Sequence, residues 1–227
     1  MLAAATAAGD QAALGWIHAA LGWYGTLTGA HSEGRAHQYQ ALDHFRRAGD
    51  RHGQAWAHLF AARPAARDDD WAEAARLCER ARALFRQAGD RVGEVSALHR
   101  LGEYHAQLGS YELARGYARQ ALELGPEAGD PMSPARAWSV LGLVHSRLGE
   151  HHQAISCYQQ ALDLAHEQKT PLSRRWLAGL LAGFGDALQA AGDLPAARQA
   201  WQQAMQIRND LGLPDNRRLR AKLERAG

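Results

Sequence analysis

The chain has 227 residues, of which 46% are hydrophobic and 22% are charged, and its formal net charge is +2. The hydrophobic fraction is enough for a continuous core, while so small a net charge without a long basic run disfavours a nucleic-acid-binding protein. No stretch approaches the roughly 18 consecutive apolar residues of a membrane span, and the first ten residues lack the basic flank of a secretory signal. We therefore expect a cytoplasmic protein.

A repeat of 40 residues organises the sequence. The tripeptide Ala-Gly-Asp falls at 8–10, 48–50, 88–90 and 128–130, a constant step. Small residues recur at fixed positions within that step, and because helices approach closely only where side chains are small, they predict packed helix pairs in a solenoid. The aligned small residues are Gly22, Gly102 and Gly142; Gly29, Gly109 and Gly149; Gly34, Ala74, Ala114 and Ala154; and Ala41, Ala81, Ala121 and Ala161.

The first residues, 1–7, are predicted to be the end of a second helix whose first helix is missing, so the chain looks truncated. Five repeats follow, and we expect them to form one array over residues 1–227. Their predicted bounds are 8–47, 48–87, 88–127, 128–167 and 168–214, followed by a capping helix at 215–227.

The third repeat shows how each unit divides into two helices. Apolar residues recur every three or four positions over 92–108, which is helical spacing, and Gly109 is suited to end that helix. Ser110 can cap the second helix, over which the apolar stripe continues to Leu124. No strand is evident, so the chain should be all-α.

The recurring Gly-Asp pair is predicted to be the turn between repeats. Gly89 and Gly129 should end second helices, and Asp90 and Asp130 should cap the first helices that follow. Pro131 would then occupy the first helical position, where its missing N–H costs nothing.

The second repeat departs most from the pattern. Pro64 falls inside its first helix, where a proline removes a backbone hydrogen bond and should kink the helix. The run Asp68-Asp69-Asp70 replaces the glycine turn, and Trp71 should pack at the start of the next helix. The departure is either drift in a tolerant repeat or a bend that shapes a binding groove.

The C-terminal part keeps the pattern with an insertion. In the fifth repeat the pair Phe184-Gly185 arrives three residues late, and Ala191-Gly192-Asp193 supplies the internal turn. The segment 215–226 reads as a basic helix with Leu219 and Leu223 on one face. A polar helix suits the end of an array, and contact with nucleic acid is the weaker alternative for its arginines.

The spacing of small residues resembles the tetratricopeptide repeat family. Gly102, Ala114 and Ala121 are separated by 12 and then 7 residues, and Pro126 follows five further on, as in that family. The resemblance implies a right-handed superhelical solenoid of antiparallel helix pairs that binds a protein or peptide without catalysis.

In that family the first helices line a concave groove. Carried over position by position, the resemblance assigns the groove to Trp16, Trp23, Trp56, Arg63, Arg67, His99, Glu103, Arg136 and Arg147. Trp and Arg are enriched at interface hot spots, and an acidic or aromatic peptide or a neighbouring domain would suit this set. The alternative is that the tryptophans only pack within long first helices.

A finer resemblance rests on the arginine-rich composition and on two stretches of sequence, FRRAGDRHGQAWAHL and FRQAGDRVGEVSALHRLGEYHAQLGSYELARGYARQAL. Together they resemble the C-terminal repeat region of actinobacterial regulators of the antibiotic-regulatory-protein and signal-transducing ATPase type. The resemblance implies a sensor or autoinhibitory module within a longer transcriptional regulator. Self-association through the terminal helices, and sensing of a small molecule or peptide pheromone, are the alternatives.

Other chemistries find little support in the sequence. The twelve histidines, including His151-His152, form no compact zinc-type pattern, so we expect no metal and no cofactor. Neither a nucleophile elbow, nor a catalytic-cysteine signature, nor a Walker motif occurs, so the chain should not be an enzyme. Cys78 and Cys157 fall within one residue of equivalent repeat positions two units apart and should be buried hydrophobes rather than a disulfide.

Overall fold

The computed structural model describes residues 2–165, 171–213 and 216–225, and within them every regular element is an α-helix. The prediction of an all-α fold built from helix pairs is therefore confirmed. The helices are α1 (Leu2–Ala8), α2 (Gln11–Thr28), α3 (His31–Ala48), α4 (Arg51–Arg67), α5 (Trp71–Ala88), α6 (Arg91–Gln107), α7 (Tyr111–Ala128), α8 (Ser133–Arg147), α9 (His151–Ala165), α10 (Pro171–Ala190), α11 (Leu194–Asp210) and α12 (Arg217–Arg225).

The contacts divide the chain into two compact units. Unit 1 comprises Met1–Leu108 with Glu127–Gly129, and unit 2 comprises Gly109–Pro126 with Asp130–Gly227. In unit 1 the hairpins α2/α3 and α4/α5 pack side by side and α6 packs on α5. In unit 2 the hairpins α8/α9 and α10/α11 pack in the same way, and α12 lies against α11. The expected single array over 1–227 stays a prediction.

The Gly-Asp pairs form the turns that the sequence predicts. Gly49 and Gly89 have φ values of 66° and 69°, in the left-handed region that favours glycine. The Oδ1 atoms of Asp50 and Asp90 each accept a hydrogen bond from the backbone N–H three residues on, both at 2.8 Å. Each pair thus ends one helix and caps the next.

The acidic turn of the second repeat also consists of a left-handed residue followed by a capping aspartate. Asp69 takes the left-handed position at φ 60°, and the Oδ1 atom of Asp70 accepts from the backbone N–H of Glu73 at 3.1 Å. The helix α4 continues through Pro64 to Arg67. Helical residues thus lie on both sides of Pro64, and the predicted bend there stays a prediction.

The expected start of α8 is wrong. Pro131 lies in a turn, and the helix begins at Ser133. The reason is that the Asp130 side chain accepts from the backbone N–H of Met132, at 2.9 Å, while its carbonyl accepts from Ser133 N–H at 3.1 Å. These two bonds close a turn before the helix starts, so Pro134 rather than Pro131 lies in the first helical turn.

Adjoining helices interlock through pairs of large and small residues. The ring of Phe45 fills the space where a Cβ on Gly53 would lie, and Phe85 stands in the same relation to Gly93. Both rings are fully buried. One repeat further on, in unit 2, the large and the small residue are exchanged: Gly125 stands at the position of the phenylalanine and Ser133 at that of the glycine. Ser133 is buried, and its hydroxyl donates to the carbonyl oxygen of Ala121 at 2.9 Å.

The last two hairpin helices and α12 enclose the core of unit 2. Trp201 is fully buried, and Leu219 and Leu223 of α12 pack on the same cluster, which confirms their predicted apolar face. The Lys222 ammonium contacts the Asp186 carboxylate, which also accepts from Trp201 Nε1 at 3.0 Å.

Two smaller expectations are also confirmed. The fifth repeat has its internal turn at Gly192, with φ 91°, where Asp193 caps α11 by accepting from Ala196 N–H at 3.0 Å. Cys78 and Cys157 are buried and not joined to each other.

Among the described residues, none of the helices has both the length and the apolar character needed to span a membrane.

Candidate partner-binding surface

The helices α2 and α4 carry most of the aromatic residues expected at the groove. Trp16 and Trp56 lie one repeat step apart, and Trp23 follows Trp16 by seven residues, two helical turns along the same face. On α4, Phe60 and Arg63 follow Trp56 by four and seven residues and therefore share its face. Helical spacing thus places these side chains together.

Five rings form a continuous series, here called the aromatic row. Its centroid distances are 6.0 Å from Trp16 to His52, 6.4 Å from His52 to Trp56, 5.5 Å from Trp56 to Phe60 and 5.5 Å from Phe60 to Trp23. These separations are typical of interacting aromatic side chains. The row therefore joins α2 to α4 across their shared surface in unit 1.

Two buried phenylalanines anchor the row to the core. Phe45 meets Trp16 at 5.1 Å and Phe85 meets Trp56 at 5.0 Å, each with the ring planes at 72°. Trp16 nevertheless keeps 40% of its surface exposed, and Trp23 and Trp56 are half-buried. Each of these tryptophans therefore packs on neighbouring rings and keeps part of its surface exposed.

An arginine lies at the far end of the row. The guanidinium carbon of Arg63 lies 4.5 Å from the centroid of the Trp23 ring, a cation–π contact that holds the planar group against the indole face. Arg67 is exposed one helical turn further along α4. Glu103 on α6 is half-buried and accepts from Arg100 Nη1 at 3.0 Å.

His52 lies at the centre of a small hydrogen-bond network. The Trp56 Nε1–H donates to His52 Nε2 at 3.1 Å, and the same ring nitrogen is 2.9 Å from Asp90 Oδ2. The other carboxylate oxygen of Asp90 caps α6. The row is thereby linked to the beginning of α6.

Three further predicted contact residues are not members of the row. His99 is only 6% exposed, so we correct its assignment, because a buried ring offers a partner almost no area. Arg136 and Arg147 belong to unit 2, where Arg136 Nη1 lies 3.3 Å from Asp130 Oδ2 and Arg147 is exposed at the end of α8. Of the nine predicted residues, four come together in unit 1: Trp16, Trp23, Trp56 and Arg63.

Two members of the row were missed from the sequence. His52 and Phe60 are not among the groove positions carried over from the family. They lie four residues before and four residues after Trp56, so helical spacing from that tryptophan is the signal that finds them.

A second group of rings lies between α2 and α3. His18 Nδ1 is 3.0 Å from His37 Nδ1, and the His18 and His44 rings stack at 5.3 Å. Burial, and next the neighbouring His37 and His44, lower the pKa of His18 below its usual range. Among the described residues, no three or more His, Cys, Asp or Glu side chains are arranged to hold a metal ion.

Comparisons with known proteins show which family and fold these features belong to. The sequence model of the tetratricopeptide repeat family matches residues 65–127 and 133–210, which is more than half of the chain. No curated protein matches the sequence. The matching family is one of repeats, and no catalytic family is indicated.

Several solved structures share the fold. The Rap conjugation gene regulator of the plasmid pLS20, in complex with the Phr* peptide, is 14% identical with a TM-score of 0.77, over 92% of this chain and 56% of that chain. BtubC from P. vanneervenii is 20% identical with a TM-score of 0.66, over 93% and 88%. A thermophilic TPR protein from Thermus thermophilus is 21% identical with a TM-score of 0.63, over 93% and 98%.

At these identities the similarity to solved structures establishes the fold alone, and the chain spans little more than half the length of the Rap regulator. The family itself rests on the match of the sequence model, on the 40-residue step and on the helix hairpins with their glycine turns. The chain belongs to the tetratricopeptide repeat family.

Proposed function

We propose that the chain is a non-catalytic module that binds a protein or peptide, and that the aromatic row with Arg63 is its principal contact surface in unit 1. The observation that carries the proposal is the construction of the row, in which core phenylalanines fix indole rings that remain partly exposed. Rigid, half-buried Trp side chains beside Arg are typical of interface hot spots, because they bury much area at little entropic cost.

The chemistry of the row indicates the kind of partner. Aromatic or aliphatic side chains of a partner would pack on Trp16, Trp56 and Phe60, where the exposed surface is apolar. A carboxylate would pair with the Arg63 guanidinium at the far end, whose planar donors suit that group. An acidic peptide with an aromatic anchor therefore fits this surface.

We further propose that this module is the sensor or autoinhibitory part of a bacterial transcriptional regulator. The resemblance of its repeats to those of actinobacterial regulators supports this, as does the shared fold with the Rap conjugation gene regulator, which was solved with the Phr* peptide. The partner would then be a peptide or another domain of the parent regulator, inside the cytoplasm.

Peptide selection tests the binding surface directly. A random peptide library displayed on phage is selected on the purified chain, and affinities of the recovered peptides are measured for wild type, Trp56→Ala and Arg63→Ala. We expect each variant to bind at least about 30-fold more weakly, since a hot spot is worth about 2 kcal/mol or more. Circular dichroism must show that helix content is retained.

The matched control is Tyr39→Ala. Tyr39 lies on α3, is not among the ring contacts of the row, and is 66% exposed, more than the row tryptophan Trp16. Its loss removes a surface aromatic without touching the row and should leave affinity unchanged. Equal losses in Tyr39→Ala and Trp56→Ala, or full binding by both row variants, would overturn the assignment. Trp56→Phe keeps a ring against Phe85 and replaces Trp56→Ala where the latter unfolds.

A second candidate function is self-association, which one observation favours. The helix α2 contains no charged residue over its 18 positions, and it exposes Leu21 by 38% and Tyr24 by 64%. The equivalent residues 80 positions later, Leu101 and Tyr104, are 0% and 2% exposed. There Trp71, at the start of α5, covers Tyr104 at a ring distance of 6.0 Å.

The α2 face therefore exposes residues of a kind that its counterpart on α6 buries. We propose a second copy of this chain as its occupant, since two uncharged faces can meet without like-charge repulsion. Light scattering across a wide concentration range should show a dimer that Leu21→Arg with Tyr24→Glu converts to a monomer. A monomer at every concentration, or a dimer unaffected by these changes, would eliminate the idea.

A further inference from the structure

The hydrogen bonds at His52 cannot all be made at once. Its Nε2 atom lies 3.1 Å from Trp56 Nε1, which can only donate, and 2.9 Å from Asp90 Oδ2, which as a carboxylate oxygen can only accept. A ring nitrogen without a proton can accept from Trp56 but has nothing to give Asp90. A ring nitrogen with a proton can donate to Asp90 but repels the indole N–H.

Two arrangements follow, according to whether Nε2 carries a proton. In the first, neutral His52 carries its proton on Nδ1, and the Trp56 N–H is bound internally. In the second, Nε2 carries a proton and donates a hydrogen bond to Asp90, so the Trp56 N–H loses its internal acceptor. That indole N–H is then a free donor on the partly exposed side of the aromatic row.

We infer that His52 is a positioning residue that decides whether the Trp56 N–H can donate to a bound partner. The ligand group that would receive it is a hydrogen-bond acceptor, such as a peptide carbonyl or carboxylate, that lies beside an apolar anchor packed on Trp16 and Phe60. The inference rests on the proposed function of the row as a contact surface. It predicts that protonation of His52 prepares the row for such a partner.

The surroundings of His52 support this behaviour. The turn before α6 presents the Asp90 carboxylate, while α2 presents the uncharged Trp16 ring and α5 presents the uncharged Phe85 ring at 6.3 Å. On its own helix Arg51 precedes it and Trp56 follows one turn later. Asp90 is available as an acceptor because only its Oδ1 atom is used in capping α6, at 2.8 Å from Gly93 N.

The rest of the chain supplies an internal control. Trp201 Nε1–H also donates to a side chain, but its acceptor is Asp186 Oδ1 at 3.0 Å and no histidine takes part. At the position equivalent to His52, α6 has Val92, so the arrangement belongs to the second repeat and not to the repeat pattern as such.

The test observes the indole N–H directly and needs no ligand. In the 227-residue chain labelled with nitrogen-15, the Trp56 indole resonance is assigned by its loss in Trp56→Phe and followed from pH 8 to pH 5, the range in which histidine side chains change charge. We expect the Trp56 resonance to shift as the pH falls, because its N–H loses the His52 acceptor. The Trp201 resonance should not follow that transition.

A variant of His52 makes the result specific. In His52→Phe, which keeps a ring between Trp16 and Phe85, the Trp56 resonance should be independent of pH. A Trp56 resonance that ignores pH in the wild type, or the same shift in His52→Phe, would overturn the inference.

The two proposals fail separately. If Trp56→Ala abolishes binding of a selected peptide but the Trp56 resonance is independent of pH, the row binds partners and His52 does not govern it. If the resonance behaves as expected but Trp56→Ala binds peptides normally, His52 does control the Trp56 N–H and the proposed contact surface is wrong.

Discussion

Phe85 occupies the space that a side chain at position 93 would need. A Cβ built on Gly93 overlaps the Phe85 ring, and the same overlap recurs 40 residues earlier between Gly53 and Phe45. Since both rings are fully buried and enclosed by other helices, they cannot swing aside without moving their neighbours. The close approach of α5 to α6 therefore depends on the missing side chain at position 93.

Replacing that glycine should destabilise the protein. Gly93→Ala is expected to lower the free energy of unfolding by about 1–3 kcal/mol, as overpacking a filled core does. Gly116 is the matched control, because it also lies inside a helix but a Cβ there meets nothing within 4 Å. Gly116→Ala should raise stability by roughly 0.5–1 kcal/mol through helix propensity. Urea denaturation measures both, and equal effects of the two changes would refute the packing argument.

The acidic turn after α4 carries a removable strain. Asp69 adopts φ 60°, a conformation that glycine reaches without the steric cost of a Cβ. Asp69→Gly is expected to stabilise the fold by up to about 1 kcal/mol. The neighbouring Asp70→Ala removes the cap of α5 and should cost about 1 kcal/mol. Thermal unfolding monitored by circular dichroism should therefore move in opposite directions for adjacent residues.

Acid should weaken the fold through a buried histidine. Burial, and then the nearby Arg80, Arg46 and Arg76, lower the pKa of His58 to about 4. An unfolded histidine titrates near 6.5, so below that pH the unfolded chain binds a proton that the folded chain does not, and stability falls until the pH passes the folded value. The loss between pH 7 and pH 4 is at most roughly 3 kcal/mol from this group.

His58→Leu tests that assignment, because Leu98 fills the equivalent position in the next repeat and is buried there. The variant should flatten the dependence of unfolding free energy on pH, leaving a smaller slope from His18, whose pKa is also lowered by burial. His152→Gln, at an exposed site on α9, is the control and should leave the profile unchanged. An unaltered slope in His58→Leu would show that other groups govern acid sensitivity.

Ser133 supports the α7/α8 contact through a hydrogen bond. Its fully buried hydroxyl donates to the Ala121 carbonyl oxygen at 2.9 Å. Ser133→Ala should cost about 1 kcal/mol, the usual value of one buried hydrogen bond. Ser133→Val should cost more, because Gly125 leaves room only for a small side chain. If the two variants unfold at the same urea concentration, the space opposite Gly125 is not limiting.

Local chemistry explains what the sequence predicts well. The turns at Gly49-Asp50 and Gly89-Asp90 follow from a left-handed glycine and a capping carboxylate, which act within four residues. The start of α8 was predicted wrongly although its residues are of the same kind. There the Asp130 side chain accepts from the N–H two residues on, that of Met132, whereas Asp50 and Asp90 accept from the N–H three residues on, and only the folded geometry shows this difference.

In the candidate site, too, some features follow from repeat positions and others depend on contacts that are distant in sequence. The family resemblance assigns Trp16, Trp23 and Trp56 to one groove, and in the structure the three rings belong to one row. Burial depends on residues distant in sequence, so it cannot be predicted from spacing: His99 is a polar residue at a repeat position that Leu59 also occupies, and both side chains are buried. The part played by His52 depends on Asp90, 38 residues away, and is likewise invisible to local patterns.

The pairing of a large residue with a glycine where successive repeats meet also limits which repeats the chain could lose. The sequence around Phe45 and that around Phe85 share the run Ala-Gly-Asp-Arg, so removal of residues 51–90 would join Asp50 to Arg91 and place Phe45 against Gly93, two partners that already fit. Removal of residues 91–130 would instead set Phe85 against Ser133, where the ring has no room. Shortening by one copy is therefore tolerable at the first boundary and disruptive at the second, although both deletions have the same length.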